Sequence, residues 1–133
     1  MFEVYDDKLL IARGGGITDI LPGNNFYSKP EEWLQFGSFW YEKGKIIQSH
    51  LHKPRNRQGK HRTCEFFYVV SGCLRINFYT SEKMFLQSRW LFAEDFACCY
   101  NGGHGFSVEA ENTKVLEIKH GKFTSPEDDK ERF

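Results

Sequence analysis

Short apolar or alternating runs of residues, separated by glycines, asparagines and charged residues, dominate the chain. Alternation with a period of two is typical of β-strands, because successive side chains point to opposite faces of a sheet. In the run Cys73–Tyr79, for example, Leu74, Ile76 and Phe78 share one face. The pattern predicts strands at Phe2–Tyr5, Leu9–Ala12, Ile17–Ile20, Gly37–Glu42, Lys45–His52, Glu65–Val70, Cys73–Tyr79, Met84–Leu91, Phe96–Tyr100, Gly105–Glu109 and Lys114–Lys119.

The number and spacing of these strands favour an all-β fold in one domain, either a closed barrel or a tight two-sheet sandwich. The run Phe66–Val70 is apolar on both faces, as expected of a strand covered on both sides. Pro30–Leu34 predicts one helical turn, because proline starts it and acidic residues follow. The polar stretch Thr124–Arg132 predicts a mobile tail, or an arm that packs on a partner through Phe133.

Composition narrows the class of protein further. The chain has 133 residues, of which 40% are hydrophobic and 17% aromatic, which suits one core and argues against disorder. Its 18 basic and 18 acidic residues balance, so we expect neither nucleic acid nor a membrane as a partner. The start of the chain lacks a signal-peptide pattern, and the four cysteines lack the spacing of a secreted disulfide framework. We therefore expect reduced thiols and a cytoplasmic location.

Three histidines and one glutamate form a candidate metal site. His50 and His52 lie two residues apart in a predicted strand, so both imidazoles point to one face and reach one point in space. Glu65 begins a strongly apolar strand, where a buried carboxylate needs a partner. His104 follows a glycine-rich turn that would deliver its ring to a fixed place. Three imidazoles and a carboxylate suit one divalent transition metal, such as Fe, Mn, Ni, Zn or Cu.

The spacing of these residues resembles the two sequence motifs of the cupin superfamily. Gly44 and the pair of histidines are similar to the first half of the first motif, and Glu65 followed by Gly72 is similar to its second half. His104 stands where the second motif places its single histidine. The chain looks like small, single-domain cupins of uncharacterised function, a group close to sugar-isomerase-like and metal-binding cupins.

The resemblance implies a double-stranded β-barrel, or jelly roll, with additional N-terminal strands. Residues 36–121 would form the barrel, residues 1–35 the N-terminal strands and helical turn packed on it, and residues 122–133 a polar tail. Because small cupins commonly pair, it also implies a homodimer. The apolar outer positions Phe66, Tyr68 and Val70 would suit the interface.

Two departures from the cupin pattern leave the fourth ligand open. Twelve residues separate His52 from Glu65, where the usual motif has three or four. His61 precedes Glu65 by the usual spacing and is an alternative ligand, although Gly59 replaces the first histidine of a pair there. Around His104, neighbouring glycines are all that remains of the second motif. Either His104 or His61 therefore completes the site.

The long insertion is strongly basic and would lie at the mouth of the barrel. We expect its cations to grip an anionic group of a small-molecule ligand, or else to form a solvated loop. Two aromatic residues, Phe67 and Phe106, would shape the pocket, and Gln48 would share the face of His50. His61 and Tyr79 are the candidates for a catalytic role. The basic residues predicted to bind ligand are Arg55, Arg57, Lys60 and Arg62.

Three functions agree with these residues, because a fold alone does not determine activity. The first is a metal-dependent enzyme that acts on a small anionic or carbohydrate-like molecule, with isomerase or epimerase chemistry favoured. The second is a non-catalytic module that binds a small ligand. The third is an Fe-dependent dioxygenase. Whether the protein is an enzyme is not decided by the sequence.

Overall fold

The structure, a computed structural model, describes residues 1–53, 63–121 and 125–133. Almost all regular structure in these residues is β. The strands are β1 (Phe2–Asp6), β2 (Leu9–Gly14), β3 (Gly23–Phe26), β4 (Leu34–Tyr41), β5 (Ile46–His52), β6 (Glu65–Ser71), β7 (Cys73–Tyr79), β8 (Phe85–Phe92), β9 (Phe96–Cys99), β10 (Gly103–Val108), β11 (Thr113–His120) and β12 (Lys130–Arg132). One short helix, α1 (Pro126–Asp129), directly precedes β12.

Two five-stranded antiparallel sheets form the body of the protein. Their strand orders are β12-β5-β10-β7-β8 and β3-β4-β11-β6-β9, so strands distant in sequence become neighbours. The apolar inner faces enclose one core, in which Phe67, Val69, Leu74, Ile76 and Val115 are fully or almost fully buried. This is the two-layer arrangement of a jelly roll, and it confirms the all-β prediction.

Most predicted strands are present, and the differences lie near the ends of the chain. Ile17–Asp19 forms a turn of 3₁₀ helix instead of a strand, because the amide of Gly16 bonds to the carboxylate of Asp19. The predicted helical turn after Pro30 is reduced to one hydrogen-bonded turn, in which the amide of Glu32 bonds to the carbonyl of Lys29. Strand β3 was not predicted, because its sequence Gly-Asn-Asn-Phe has little strand propensity.

The C-terminal segment also differs from the prediction of a mobile tail. Residues 125–129 form a capped helical turn, in which the Ser125 hydroxyl accepts a hydrogen bond from the amide of Asp128. Strand β12 then pairs with β5 at the edge of a sheet. Backbone hydrogen bonds of this kind hold the segment in place, although its polar side chains contribute little hydrophobic contact.

Strands β1 and β2 form a separate hairpin, and among the described residues they pair only with each other. Its link to the rest of the chain includes Arg13, whose guanidinium bonds to the carboxylates of Glu3 and Glu32. Many of its apolar side chains, including Leu9 and Ile11, are exposed. No helix in the described ranges is long and apolar enough to cross a membrane.

Candidate metal centre

The fold brings the three histidines and Glu65 together inside the barrel. His50 and His104 are directly opposite each other in the antiparallel pair β5–β10, with ring centroids 4.6 Å apart. His52 lies two residues further along β5, and Glu65 begins β6 in the facing sheet. Each of the four side chains offers a ligand atom, and these atoms all lie within 4.8 Å of one another.

Two of the three imidazoles contact the carboxylate of Glu65. Its Oε2 lies 2.8 Å from Nε2 of His104 and 2.9 Å from Nε2 of His52. All four residues are at most 4% exposed. In the part of the chain that the structure describes, the buried Nε2 of His50 has no hydrogen-bond partner. A polar atom buried without a partner is costly, so a cation at this point fits the residues present.

A β-bulge orients His50. The pairing of β10 with β5 shifts register between His104 and Phe106, which face His50 and Ile47 respectively. Gln48 and Ser49 of β5 lie opposite the single residue Gly105 of β10, and this one extra residue places Ile47 and His50 on the inner face and leaves Gln48 exposed. The prediction that the Gln48 side chain shares the face of His50 is therefore wrong.

The backbone of Gln48 nevertheless acts on the site. Its carbonyl oxygen lies 3.0 Å from Nδ1 of His50 and accepts a hydrogen bond when that nitrogen carries the proton. A protonated Nδ1 leaves the lone pair on Nε2, the nitrogen that faces the cluster. The carbonyl of Gln48 therefore favours the tautomer in which Nε2 of His50 is available as a ligand atom.

A carboxylate from the C-terminal helix contacts the other nitrogen of His52. Asp129 is fully buried, and its Oδ2 lies 3.3 Å from Nδ1 of His52. Its Oδ1 accepts a hydrogen bond of 3.3 Å from the hydroxyl of Thr63. Sequence patterns gave no indication of Asp129, because it lies in a short polar segment far from the histidines in sequence.

The surroundings shift the pKa values of three site residues in different directions. Burial, reinforced by the nearby charge of Lys130, lowers the pKa of His50 to about 3, so this imidazole is neutral at neutral pH. Burial opposes protonation of His52 as well, but its contacts with Asp129 and Glu65 raise its pKa above the ordinary value. Burial alone would raise the pKa of Glu65, yet hydrogen bonding with His104 and His52 holds it well below its usual range.

A cavity of about 330 Å³ opens onto His50 and Glu65. Phe67 and Phe106 line it, as the sequence analysis expected, together with the further core residue Phe39. Its remaining wall is strongly charged and was not predicted. The charged residues that line the cavity besides Glu65 are Lys45, Glu117, Lys119, Lys130 and Arg132.

Two of these lysines contact the centre directly. The Nζ atoms of Lys119 and Lys130 each lie 3.8 Å from Oε1 of Glu65, the oxygen that does not face the histidines. Lys119 also lies 3.6 Å from the carboxylate of Glu117. Burial and the negative charge of Glu65 raise the pKa of Glu117. Alternation along β11 could have placed Glu117 and Lys119 on the inner face, because Val115 of the same strand is fully buried there.

Other predicted site residues lie elsewhere. Tyr79 is on the outer face of its strand, where its ring packs against Phe85 and Phe133, and it does not line the cavity. The alternation of β7 explains this position, because Leu74 and Ile76 occupy the buried face. The alternative ligand and the basic residues of the insertion lie outside the described residues; these are Arg55, Arg57, Lys60, His61 and Arg62.

No family model and no curated protein matches the chain. Among solved structures, it is similar to an uncharacterized conserved protein with a double-stranded beta-helix domain from Klebsiella pneumoniae, at 15% identity and a TM-score of 0.63 over 84% of this chain and 91% of that one. It is also similar to KdgF from Halomonas sp., at 16% identity and a TM-score of 0.56 over 74% of this chain and 76% of that one.

Oxalate decarboxylase from Bacillus subtilis matches at 16% identity and a TM-score of 0.59, over 77% of this chain. The chain spans only about a quarter of that protein, since the match covers 24% of its length. Together the topology and these likenesses show that the chain has a double-stranded β-helix fold, the fold that the resemblance to cupins predicted. At these identities the likeness concerns the fold, so function is argued from the site.

Proposed function

We propose that His50, His52, Glu65 and His104 bind one divalent transition metal. The observation that carries this proposal is the buried cluster of four ligand atoms within 4.8 Å of one another. Three imidazoles and a carboxylate suit Fe, Mn, Ni, Zn or Cu. The Mn(II) centres of Bacillus subtilis oxalate decarboxylase, which this chain matches over 24% of that protein's length, support a metal on this scaffold.

Elemental analysis of the purified protein tests the metal proposal. We expect about one metal per chain in the wild type, and its loss in the double variant His50→Ala/His52→Ala, because two of the four ligands are removed. The variant Gln48→Ala is a matched control, because the exposed Gln48 contacts His50 through its backbone carbonyl, which alanine retains. Wild-type protein without metal, or a double variant that keeps it, would contradict the proposal.

The charged cavity supports a small anionic or carbohydrate-like molecule as the substrate. Lys45, Lys119, Lys130 and Arg132 carry four positive charges around it against the two carboxylates of Glu65 and Glu117. A divalent ion would add to this excess and would polarise a carbonyl or hydroxyl group of the bound molecule. In this proposal the lysines hold the anionic group, the aromatic side chains exclude water, and Glu117 provides a carboxyl group outside the four-residue cluster.

We therefore propose a metal-dependent enzyme with isomerase or epimerase chemistry. The second candidate is a non-catalytic module that binds the same class of ligand. Among the described residues, the only histidine that lines the cavity is the candidate ligand His50, so no further histidine is available there as a catalytic base. The Fe-dependent dioxygenase remains a third candidate. Of these, the charged cavity favours the two that recognise an anion.

Calorimetric titration with glucose 6-phosphate and with neutral glucose tests the preference for an anion. We expect the phosphate ester alone to bind, with affinity reduced at least tenfold in Lys130→Met, because a cation near the ligand is lost. Equal affinity for both sugars would contradict anion recognition. Turnover of the bound ester selects the isomerase, binding without turnover selects the binding module, and ligand-dependent O₂ uptake by the Fe-loaded protein selects the dioxygenase.

We also propose a homodimer in the cytoplasm. Two-stranded hairpins are marginally stable alone in water, and the apolar side chains of β1 and β2 are largely exposed, so a second copy would cover them. Tyr68 and Val70, which the sequence analysis expected in the interface, line a groove together with the N-terminal residues Met1 and Ile17. We therefore propose that the interface includes the N-terminal segment. All four cysteines are free, which supports a reducing compartment.

A further inference from the structure

The C-terminal residues 125–133 contact the candidate metal centre at several points. Backbone pairing of β12 with β5 sets Lys130 opposite His52 and Arg132 opposite His50. The amide of Phe133 bonds to the carbonyl of Ser49 at 3.0 Å, at the bulge that orients His50. This segment lies beyond residues 36–121, which the cupin resemblance assigns to the barrel.

The barrel leaves room for the end of the segment. The Phe133 ring packs edge-on against Tyr79, with centroids 5.1 Å apart. A Cβ atom on Gly103 would lie 2.9 Å from this ring, closer than side chains normally approach. A side chain at this position, next to the candidate ligand His104, would displace the Phe133 ring from where it packs.

Asp129 lies where it can fix the orientation of His52. Its Oδ2 is 3.3 Å from Nδ1 of His52, while Nε2 of the same ring faces Glu65. Asp129 is itself held by the Thr63 hydroxyl, and its carbonyl accepts a hydrogen bond of 2.8 Å from the amide of Lys53. A histidine ligand that donates its second N–H to a carboxylate has a fixed ring and a more basic metal-binding nitrogen.

We propose that Asp129 is a positioning residue for the metal ligand His52, and that metal binding and docking of residues 125–133 stabilise each other. The inference rests on the proposed metal site. Reciprocity is required thermodynamically: if the docked segment raises metal affinity, the metal must stabilise the docked segment by the same free energy.

Metal affinity of single variants, measured by competition with a chelating dye, tests the positioning role. We expect Asp129→Ala to bind Zn²⁺ or Mn²⁺ about 10- to 100-fold more weakly than wild type, the usual effect of removing a partner of a ligand. Asp129→Asn keeps an oxygen that can accept the N–H, so its affinity should be intermediate. Glu127→Gln, in the same helical turn but exposed, is the control and should bind as wild type does.

Hydrogen exchange of residues 125–133, with and without metal, tests the reciprocal effect. We expect metal to slow exchange of this segment in the wild type and to slow it less in Asp129→Ala. If Asp129→Ala does not fold, Phe133→Ala replaces it, because that variant removes the anchor without touching a candidate ligand. It should speed exchange of the segment and weaken metal binding.

The outcomes separate this inference from the proposed function. Wild-type protein that binds no metal defeats both proposals. Wild-type protein that binds metal, with equal affinity in Asp129→Ala or Phe133→Ala and no effect of metal on exchange, defeats the inference alone. A shifted visible spectrum of Co²⁺-loaded Asp129→Asn would support positioning, because a purely structural role would leave the ligand geometry unchanged.

Discussion

At the scale of single residues, the centre depends on which nitrogen of each histidine faces inward. For His50 the carbonyl of Gln48, 3.0 Å from Nδ1, favours this orientation, and for His52 we propose the same role for the carboxylate of Asp129, 3.3 Å from Nδ1. In each case the acceptor contacts Nδ1 and leaves Nε2 toward the cluster. Groups outside the four candidate ligands therefore influence whether the Nε2 atoms of His50 and His52 can face the same metal ion.

The lowered pKa of His50 predicts a loss of stability in mild acid for the metal-free protein. The pKa falls from 6.5 to about 3 on folding, so between these pH values the unfolded chain binds the proton and the folded protein does not. This contribution is fully present above about pH 6.5 and is lost as the pH falls toward 3, by an amount on the order of a few kcal/mol. Chemical denaturation of wild type and His50→Gln at several pH values measures it.

We expect the stability of wild type to fall more steeply than that of His50→Gln below about pH 6.5, because glutamine does not titrate. His52, whose pKa is raised, contributes in the opposite sense in both proteins, so it cancels in the comparison. Parallel pH profiles for the two proteins would show that His50 is not held neutral by its surroundings.

The paired histidines and Glu65 could be predicted from sequence because the period of a strand and its apolar character can be read from neighbouring residues. His50 and His52 share a face through the period of two, and a carboxylate that begins an apolar strand needs a partner. Asp129 and Lys130 could not be found this way. They reach the site only through the pairing of β12 with β5, a contact between distant parts of the chain.

At the scale of elements, β5 shows why a correct strand prediction still misplaced a side chain. The prediction assumed strict alternation, whereas the bulge places Ile47 and His50 on the same face. Gly105 of the neighbouring strand packs closely against Ser49 at this bulge, a contact that could not be recognised before the pairing was known. Polar segments such as β3 were missed for a similar reason, since their strand structure comes from pairing with β4.

Replacing Gly105 with alanine tests the bulge. The new Cβ would lie 2.3 Å from Oγ and 2.8 Å from Cα of Ser49, and the backbone atom cannot move without shifting β5. We expect a loss of about 1–3 kcal/mol in the free energy of unfolding, together with weaker metal binding, because His50 moves with the strand. Gly16→Ala is the control, since its Cβ would meet nothing closer than Thr18 at 4.0 Å. Denaturation showing equal stability for the two variants would refute this role of Gly105.

At the scale of the whole molecule, the barrel buries its apolar side chains in its own core, whereas the N-terminal hairpin leaves many of its apolar side chains exposed. The two sheets bury one continuous cluster of apolar side chains, as the sequence pattern predicted. The strands β1 and β2 instead expose much of their apolar surface and, within the described ranges, form a separate two-stranded sheet. Which surface covers them depends on assembly, which the pattern of hydrophobic residues does not specify.

The proposed homodimer predicts that charges placed in the hairpin dissociate the protein. Leu9 and Ile11 are 65% and 56% exposed, and lysine at both positions would bury two charges in an interface. Sedimentation velocity over a range of concentrations should show a dimer for wild type and a monomer for Leu9→Lys/Ile11→Lys. Met84→Lys, at a residue that is 67% exposed outside the hairpin, should remain dimeric. A wild-type monomer at every concentration would defeat the proposal. If Leu9→Lys/Ile11→Lys remained dimeric, the interface would not include the hairpin.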